Sequence, residues 1–196
     1  MNLPNKITVA RIILSVVVLI ILLIPWYSLG INWPEYLVFD MTISLKYLVA
    51  GVLFAIAAFT DFLDGYLARK NNMVTDFGKV TDAIADKLLV NGVLIILAYE
   101  RSIMLIIPVV IISRDIIVDS LKMLSGSKGN VVAASIMGKI KTICMLVGLT
   151  LVFFYNLPFA LIGIPLSDIL LFLAMIFSVI SGCQYYNNAK QYLKEV

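Results

Sequence analysis

Asp61, Asp64, Asp82 and Asp86 are the residues of this chain best suited to chemistry. They lie within DFLDGYLARKNNMVTDFGKVTDAIAD, inside a sequence that is otherwise mostly apolar. The first two are three positions apart and the last two are four apart, so on helices each pair shares a face. A charge at bilayer depth costs roughly 2.5–3.5 kcal/mol on insertion scales, so four carboxylates there call for cationic compensation. Carboxylates with no histidine and no nearby cysteine suit a hard divalent ion, Mg2+, Mn2+ or Ca2+, rather than zinc. Two such ions held about 3.5–4 Å apart can clamp a phosphoryl group and stabilise attacking and leaving oxygens. The Arg69 fork matches phosphate oxygens. A carboxylate not saturated by metal can take a proton from an attacking hydroxyl. The segment points to metal-dependent phosphate handling at a membrane surface.

The elements that must carry these side chains follow from spacing. Asp61, Gly65 and Ala68 share a helix face with Asp64 beside them, and the small residues leave room for a ligand or a second backbone. Asn71, Asn72, Asp76 and Gly78 predict a polar turn, with a new helix beginning near Thr81. Two antiparallel helices would then face each other with two carboxylates each.

The chain as a whole is 62% hydrophobic and 14% charged over 196 residues. Soluble domains are nearer 45–50% apolar and about 25% charged, so an integral membrane protein is expected. The absence of histidine removes the commonest general base and the commonest zinc ligand. Cys144 and Cys183 fall in apolar stretches and are expected to be buried thiols. Six apolar stretches predict six transmembrane helices in an all-α fold: Ile7–Leu29, Ile43–Phe62, Ile84–Tyr99, Ile103–Leu124, Ile140–Tyr155 and Leu166–Ser181. The first is too long and lacks the small-residue site of a cleavable signal. No repeat or linker divides the chain, so residues 1–196 are expected to form a single domain. Trp26, Tyr27 and Trp33 at one end, and Tyr185, Tyr186 and Tyr192 at the other, suit interfacial belts.

Basic residues set the orientation. Lys6, Arg11, Arg69, Lys70, Lys79, Lys87, Lys122, Lys128, Lys139, Lys141, Lys190 and Lys194 fall at one side, twelve of the fifteen in the chain. Lys46 and Arg101 fall at the other, and Arg114 lies inside a span. The positive-inside rule then places both termini and the aspartate segment in the cytoplasm.

The pattern Asp64-Gly65-x2-Ala68-Arg69-x8-Gly78-x3-Asp82-x3-Asp86, with Asp61 three residues upstream, resembles the signature of the CDP-alcohol phosphotransferases. Eight fixed positions over 26 residues make the match specific, and the six-span topology agrees with that family's helical membrane fold. The resemblance implies that Asp61, Asp64, Asp82 and Asp86 hold two divalent cations, Mg2+ or Mn2+, with Asp86 as the base. It implies that Gly65, Ala68, Arg69 and Gly78 line the CDP pocket, with Arg69 on the diphosphate. It further implies release of CMP when an alcohol attacks the other phosphate, and a homodimer as the assembly.

The opening Asn2-Leu3-Pro4-Asn5-Lys6-Ile7-Thr8-Val9-Ala10-Arg11 resembles bacterial members of that family that join CDP-diacylglycerol to sn-glycerol 3-phosphate. So does the stretch from Arg114-Asp115 to Gly138-Lys139-Ile140-Lys141-Thr142. The position after the arginine is often Glu in that group; Asp115 keeps the charge and shortens the reach. Glycerol 3-phosphate is a dianion, and Arg114, Lys139 and Lys141, with Thr142 as a hydroxyl donor, form a reasonable set for its phosphate. An arginine within a span is a functional-site hypothesis by default, whereas the two lysines also suit contact with lipid headgroups. Asn5, Thr8 and Arg11 either reach the nucleotide and its phosphates or simply begin a helix against headgroups. Asp119 is expected to partner a nearby cation.

The expected function is therefore phosphatidyl transfer from CDP-diacylglycerol to sn-glycerol 3-phosphate, in phospholipid biosynthesis at a bacterial cytoplasmic membrane. Membrane lipids are expected as surroundings, and no nucleic acid as a partner. Serine, an inositol phosphate or phosphatidylglycerol are the other acceptors open within the family. A cation transporter would also place carboxylates in a helical bundle, but leaves Gly65, Ala68, Arg69 and Gly78 without a purpose.

Overall fold

The computed structural model describes residues 3–39, 41–70, 76–127 and 135–193, with side chains described for 8–39, 41–61, 84–126 and 135–190. Six α-helices dominate: α1 (Leu3–Leu23), α2 (Leu45–Lys70), α3 (Asp76–Tyr99), α4 (Ile106–Ser127), α5 (Ile136–Phe153) and α6 (Leu166–Leu193). Each corresponds to one of the six apolar stretches, with shifted ends. Pro25 closes the first stretch early, since a proline lacks the N–H that would continue the helix. Pro108 is tolerated in α4 because it stands in the first turn, where N–H groups have no intrahelical partner. Ser135 caps α5, its hydroxyl accepting from the Gly138 N–H at 3.1 Å.

The expectation of an all-α fold needs one correction. Between α1 and α2 the chain forms an antiparallel hairpin of β1 (Glu35–Val38) and β2 (Met41–Ser44), paired from Glu35↔Ser44 to Val38↔Met41. Pro34, just before β1, favours extended backbone in the residue preceding it. Val38, Thr42 and Ile43 are β-branched residues that suit a pleated surface. Ile43 and Ser44 thereby belong to a strand rather than to the second helix.

The α2 helix runs on past its apolar part to Lys70, and α3 starts at Asp76, five residues before the expected Thr81. The 26 residues of α2 extend roughly 39 Å at 1.5 Å each. Its last part is the polar end that carries Asp61 and the residues after it. Asn71 and Asn72 of the expected turn lie outside the described residues.

The helices form a bundle in which α1 packs on α2 and α3, while α6 packs on α4 and α5. The α2–α5 contact joins the two groups through Phe54 and Phe153, both fully buried with ring centroids 5.5 Å apart. Gly51 permits that contact: a Cβ there would lie 2.6 Å from Phe153 Cβ. Close approach through small residues is how helices associate where lipid removes the hydrophobic drive between them.

Large apolar side chains also cover the outside. Ile13 and Ile20 on α1, Ile56 and Phe59 on α2, and Ile176 and Ile180 on α6 are all exposed. So broad an apolar exterior belongs in lipid, and this is a membrane protein. Among the described residues, Ile136–Phe153 and Leu166–Lys190 are long and apolar enough by length and composition to cross a membrane, and Thr8–Leu23 is a shorter apolar helix.

One end of the bundle is locked by polar contacts. Tyr47 OH donates to Glu100, and Lys46 Nζ lies 3.6 Å from the same carboxylate. Tyr155 OH accepts from the Ser44 N–H at 2.8 Å. The candidate site lies toward the other end, 14 residues along α2 from Tyr47 to Asp61, or roughly 21 Å.

Candidate active site

All six helices contribute to a cluster of charged and hydroxyl side chains. On α1, Thr8 and Arg11 are buried, one turn apart on a common face. Arg11 Nη1 donates to Oδ1 of Asp61 on α2. The Asp61 side chain remains nearly half exposed, whereas that of Arg11 is enclosed. Asp86, on α3, has an exposed side chain. It lies close enough to Asp61 and Asp115, and to Lys141 and Arg11, to interact electrostatically with all four.

A second group joins α4, α5 and α6. Lys141 is only 4% exposed and donates to both carboxylate oxygens of Asp115, at 2.9 and 2.7 Å. Arg114 Nη1 donates to Oδ1 of the same Asp115 at 2.9 Å. Two cations from different helices therefore share one carboxylate. Arg114 is also fastened to α6, where Nε donates to the Ser178 carbonyl at 3.0 Å and Nη2 to Ser181 Oγ at 2.6 Å. Its guanidinium stands over the Tyr185 ring, 5.5 Å from the centroid, a cation–π arrangement. Gly182 makes the seat possible, because a Cβ there would lie 3.1 Å from Arg114 Cγ.

Tyr185 departs from expectation. It is buried rather than interfacial, and its hydroxyl accepts from the Ser135 N–H at 3.2 Å. Lys122 lies over the same ring, at 5.1 Å. Ser178, Ser181 and Tyr185 recur at three- and four-residue spacing, so they form one stripe on α6. That stripe was the signal available in the sequence, masked by the apolar residues around it. Asp119 pairs with Lys87 across α3 and α4, as a partner for a nearby cation should.

The acceptor candidates are not all gathered. Lys141 and Arg114 meet at Asp115, but Lys139 stands two positions from Lys141 and is exposed while Lys141 is buried. Two residues are about 200° of helix turn, so the pair cannot share a face. The Thr142 hydroxyl donates to the Gly138 carbonyl at 3.1 Å, so serving an acceptor as a donor requires it to leave that bond. Asn5, Asp64, Gly65, Ala68, Arg69, Gly78 and Asp82 lie within α1, α2 or α3, but their side chains fall outside the described residues.

Among the described residues, no group of three or more His, Cys, Asp or Glu side chains could hold a metal ion. Of the four aspartates expected as ligands, only Asp61 and Asp86 have described side chains. Their chemistry fits a hard divalent ion: oxygen donors, accessible, at the polar end of two helices. A groove of about 660 Å³ lies between α4 and α6, lined by Val109, Ile117, Val179 and Tyr186 among others, and it reaches Arg114.

Residues 1–180 match the family model of CDP-alcohol phosphatidyltransferase. The chain is 42% identical over 193 residues to the CDP-diacylglycerol–glycerol-3-phosphate 3-phosphatidyltransferase of Bacillus subtilis (strain 168), covering 98% of this chain and 97% of that one. The protein of the same name in Mycoplasma genitalium is 35% identical over 204 residues, covering 98% and 86%. That in Rickettsia felis is 32% identical over 192 residues, covering 97% of each.

Proposed function

Because this chain belongs to the CDP-alcohol phosphatidyltransferase family, we propose that it transfers the phosphatidyl group of CDP-diacylglycerol to sn-glycerol 3-phosphate. The products are phosphatidylglycerol phosphate and CMP, and the role is phospholipid biosynthesis. The observation that carries the reading is the position of Lys141. It is hydrogen-bonded to Asp115 and lies within electrostatic range of Asp86, which supports a cationic place for the acceptor phosphate on the same side of the bundle as a carboxylate able to act as a base. The names of the relatives supply the two substrates.

Asp86 takes the proton from the 1-hydroxyl of glycerol 3-phosphate. The oxygen attacks the phosphorus that bears the diacylglycerol, and the bond from that phosphorus to the bridging oxygen of CMP breaks. CMP leaves with the bonding electron pair. Lys141 and Arg114 hold the acceptor phosphate so that its hydroxyl is directed at Asp86. Asp61, Asp64, Asp82 and Asp86 would hold two divalent cations, Mg2+ or Mn2+, whose charge would offset that of the diphosphate and of departing CMP. Gly65, Ala68, Arg69 and Gly78, with Asn5 and Thr8, form the nucleotide side, and Arg69 takes a diphosphate oxygen.

In this reading residues 1–196 form one domain with six spans and both termini in the cytoplasm. It resides in a bacterial cytoplasmic membrane as a homodimer. Six helices with apolar exteriors and the one-sided distribution of lysine and arginine support the topology. The dimer rests on family resemblance.

The test is CMP release by purified protein with CDP-diacylglycerol and Mg2+ or Mn2+, comparing glycerol 3-phosphate, serine, inositol phosphate and phosphatidylglycerol as acceptors. Release with glycerol 3-phosphate alone is the expected result. Release with another acceptor would keep the aspartate chemistry and overturn the acceptor.

A further inference from the structure

We propose that Asp115 is a positioning residue for acceptor binding, holding Lys141 of α5 and Arg114 of α4 at the spacing and net charge that a phosphate monoester requires. The inference rests on the acceptor reading above and assigns a residue that reading leaves unused.

Lys141 is almost wholly enclosed, and an enclosed ammonium without a partner is strongly disfavoured. Both oxygens of Asp115 supply that partner. The same carboxylate takes Arg114 Nη1, so the arrangement carries two positive charges and one negative. A dianionic phosphate then meets a site that is cationic without the full repulsion of two neighbouring cations.

The donor inventory agrees. An ammonium has three protons and a guanidinium five N–H donors. Lys141 commits two protons to Asp115 and keeps one for a phosphate oxygen. Arg114 commits three N–H groups, to Ser178, Asp115 and Ser181, and keeps two. The committed bonds fix where the remaining donors point, which is the substance of preorganisation. Asp115 need not touch the acceptor; it acts through the two cations.

The experiment compares Asp115→Asn and Asp115→Glu in CMP release, varying glycerol 3-phosphate and CDP-diacylglycerol separately. Asp115→Asn should raise KM for glycerol 3-phosphate by about tenfold or more, the scale of a lost charged hydrogen bond. KM for CDP-diacylglycerol should hold, and Asp115→Glu should recover most of the loss. In a Lys141→Met background, Asp115→Asn should add less than it does in wild type, because only Arg114 remains for it to act through. The double variant also removes both members of the Lys141–Asp115 pair, so it remains informative if Asp115→Asn alone does not fold. An unchanged KM for glycerol 3-phosphate in Asp115→Asn would overturn the proposal. So would an equal rise for both substrates with no recovery in Asp115→Glu, which marks a merely structural residue. Failure of the acceptor reading is seen separately, in wild-type protein that does not use glycerol 3-phosphate.

Discussion

Arg11 of α1 is enclosed and pairs with Asp61 of α2, whose carboxylate stays open to the site. The pair joins the first two helices at the aspartate end and gives Asp61 a structural duty that the exposed Asp86 lacks. Asp61→Asn should therefore abolish turnover and also lower the melting temperature of the detergent-solubilised protein. Asp86→Asn should abolish turnover while the melting temperature stays close to wild type. Loss of a partner to a buried cation costs about 3–5 kcal/mol when both members are enclosed; with Asp61 half open, about 1–3 kcal/mol is the reasonable scale. Equal melting temperatures for the two variants would remove the structural role of the Arg11–Asp61 pair.

Asp86→Asn also separates binding from chemistry. Turnover should fall by at least about 10²–10⁴-fold, the usual contribution of a positioned base. Binding of CDP-diacylglycerol, followed by its protection against thermal unfolding, should largely persist. Near-normal CMP release in this variant would exclude Asp86 as the base.

The seat of Arg114 on α6 predicts effects from residues with no charge of their own. Ser181→Ala removes the 2.6 Å bond to Nη2 and should raise KM for glycerol 3-phosphate by about three- to tenfold. Gly182→Val places a side chain where Arg114 Cγ already stands and should be more harmful. Wild-type acceptor kinetics in Gly182→Val would show that Arg114 does not serve the acceptor from this position.

Removal of divalent ions should abolish CMP release, and Mg2+ or Mn2+ should restore it. Asp61 and Asp86 are oxygen donors from two helices, and the chain has no histidine to substitute for them. Turnover that survives exhaustive chelation would sink the two-cation reading.

At the opposite end, Tyr47→Phe should act on stability alone. It removes the hydrogen bond to Glu100 at roughly 21 Å along the helix from the site. A loss of about 1–2 kcal/mol in unfolding, with kcat unchanged, is expected. A fall in kcat matching that in Asp86→Asn would show the two ends to be coupled.

Much of this protein was legible in order along the chain. Helical spacing put Asp61 and Asp64 on one helix and Asp82 and Asp86 on the next, where α2 and α3 run, because a helix repeats locally and needs no knowledge of its neighbours. Hydropathy located six helices for the same reason, since an apolar run marks each segment separately. The hairpin at Glu35–Ser44 was missed because strand pairing depends on two segments meeting, and its residues sit beside a long apolar run.

What only the tertiary structure decided is which charges answer one another. Lys141 and Asp115 are 26 residues apart, Arg11 and Asp61 are 50 apart, and Arg114 and Ser181 are 67 apart. No periodicity within one helix relates such positions. Lys139 and Lys141 look equivalent in sequence, yet one is exposed and the other is buried against Asp115. Tyr185 looks like an interfacial anchor, yet it lies beneath Arg114. The residue types specified the chemistry available; the crossing of α4, α5 and α6 selected the partners, because a buried charge must find its counterpart on whichever helix packs against it.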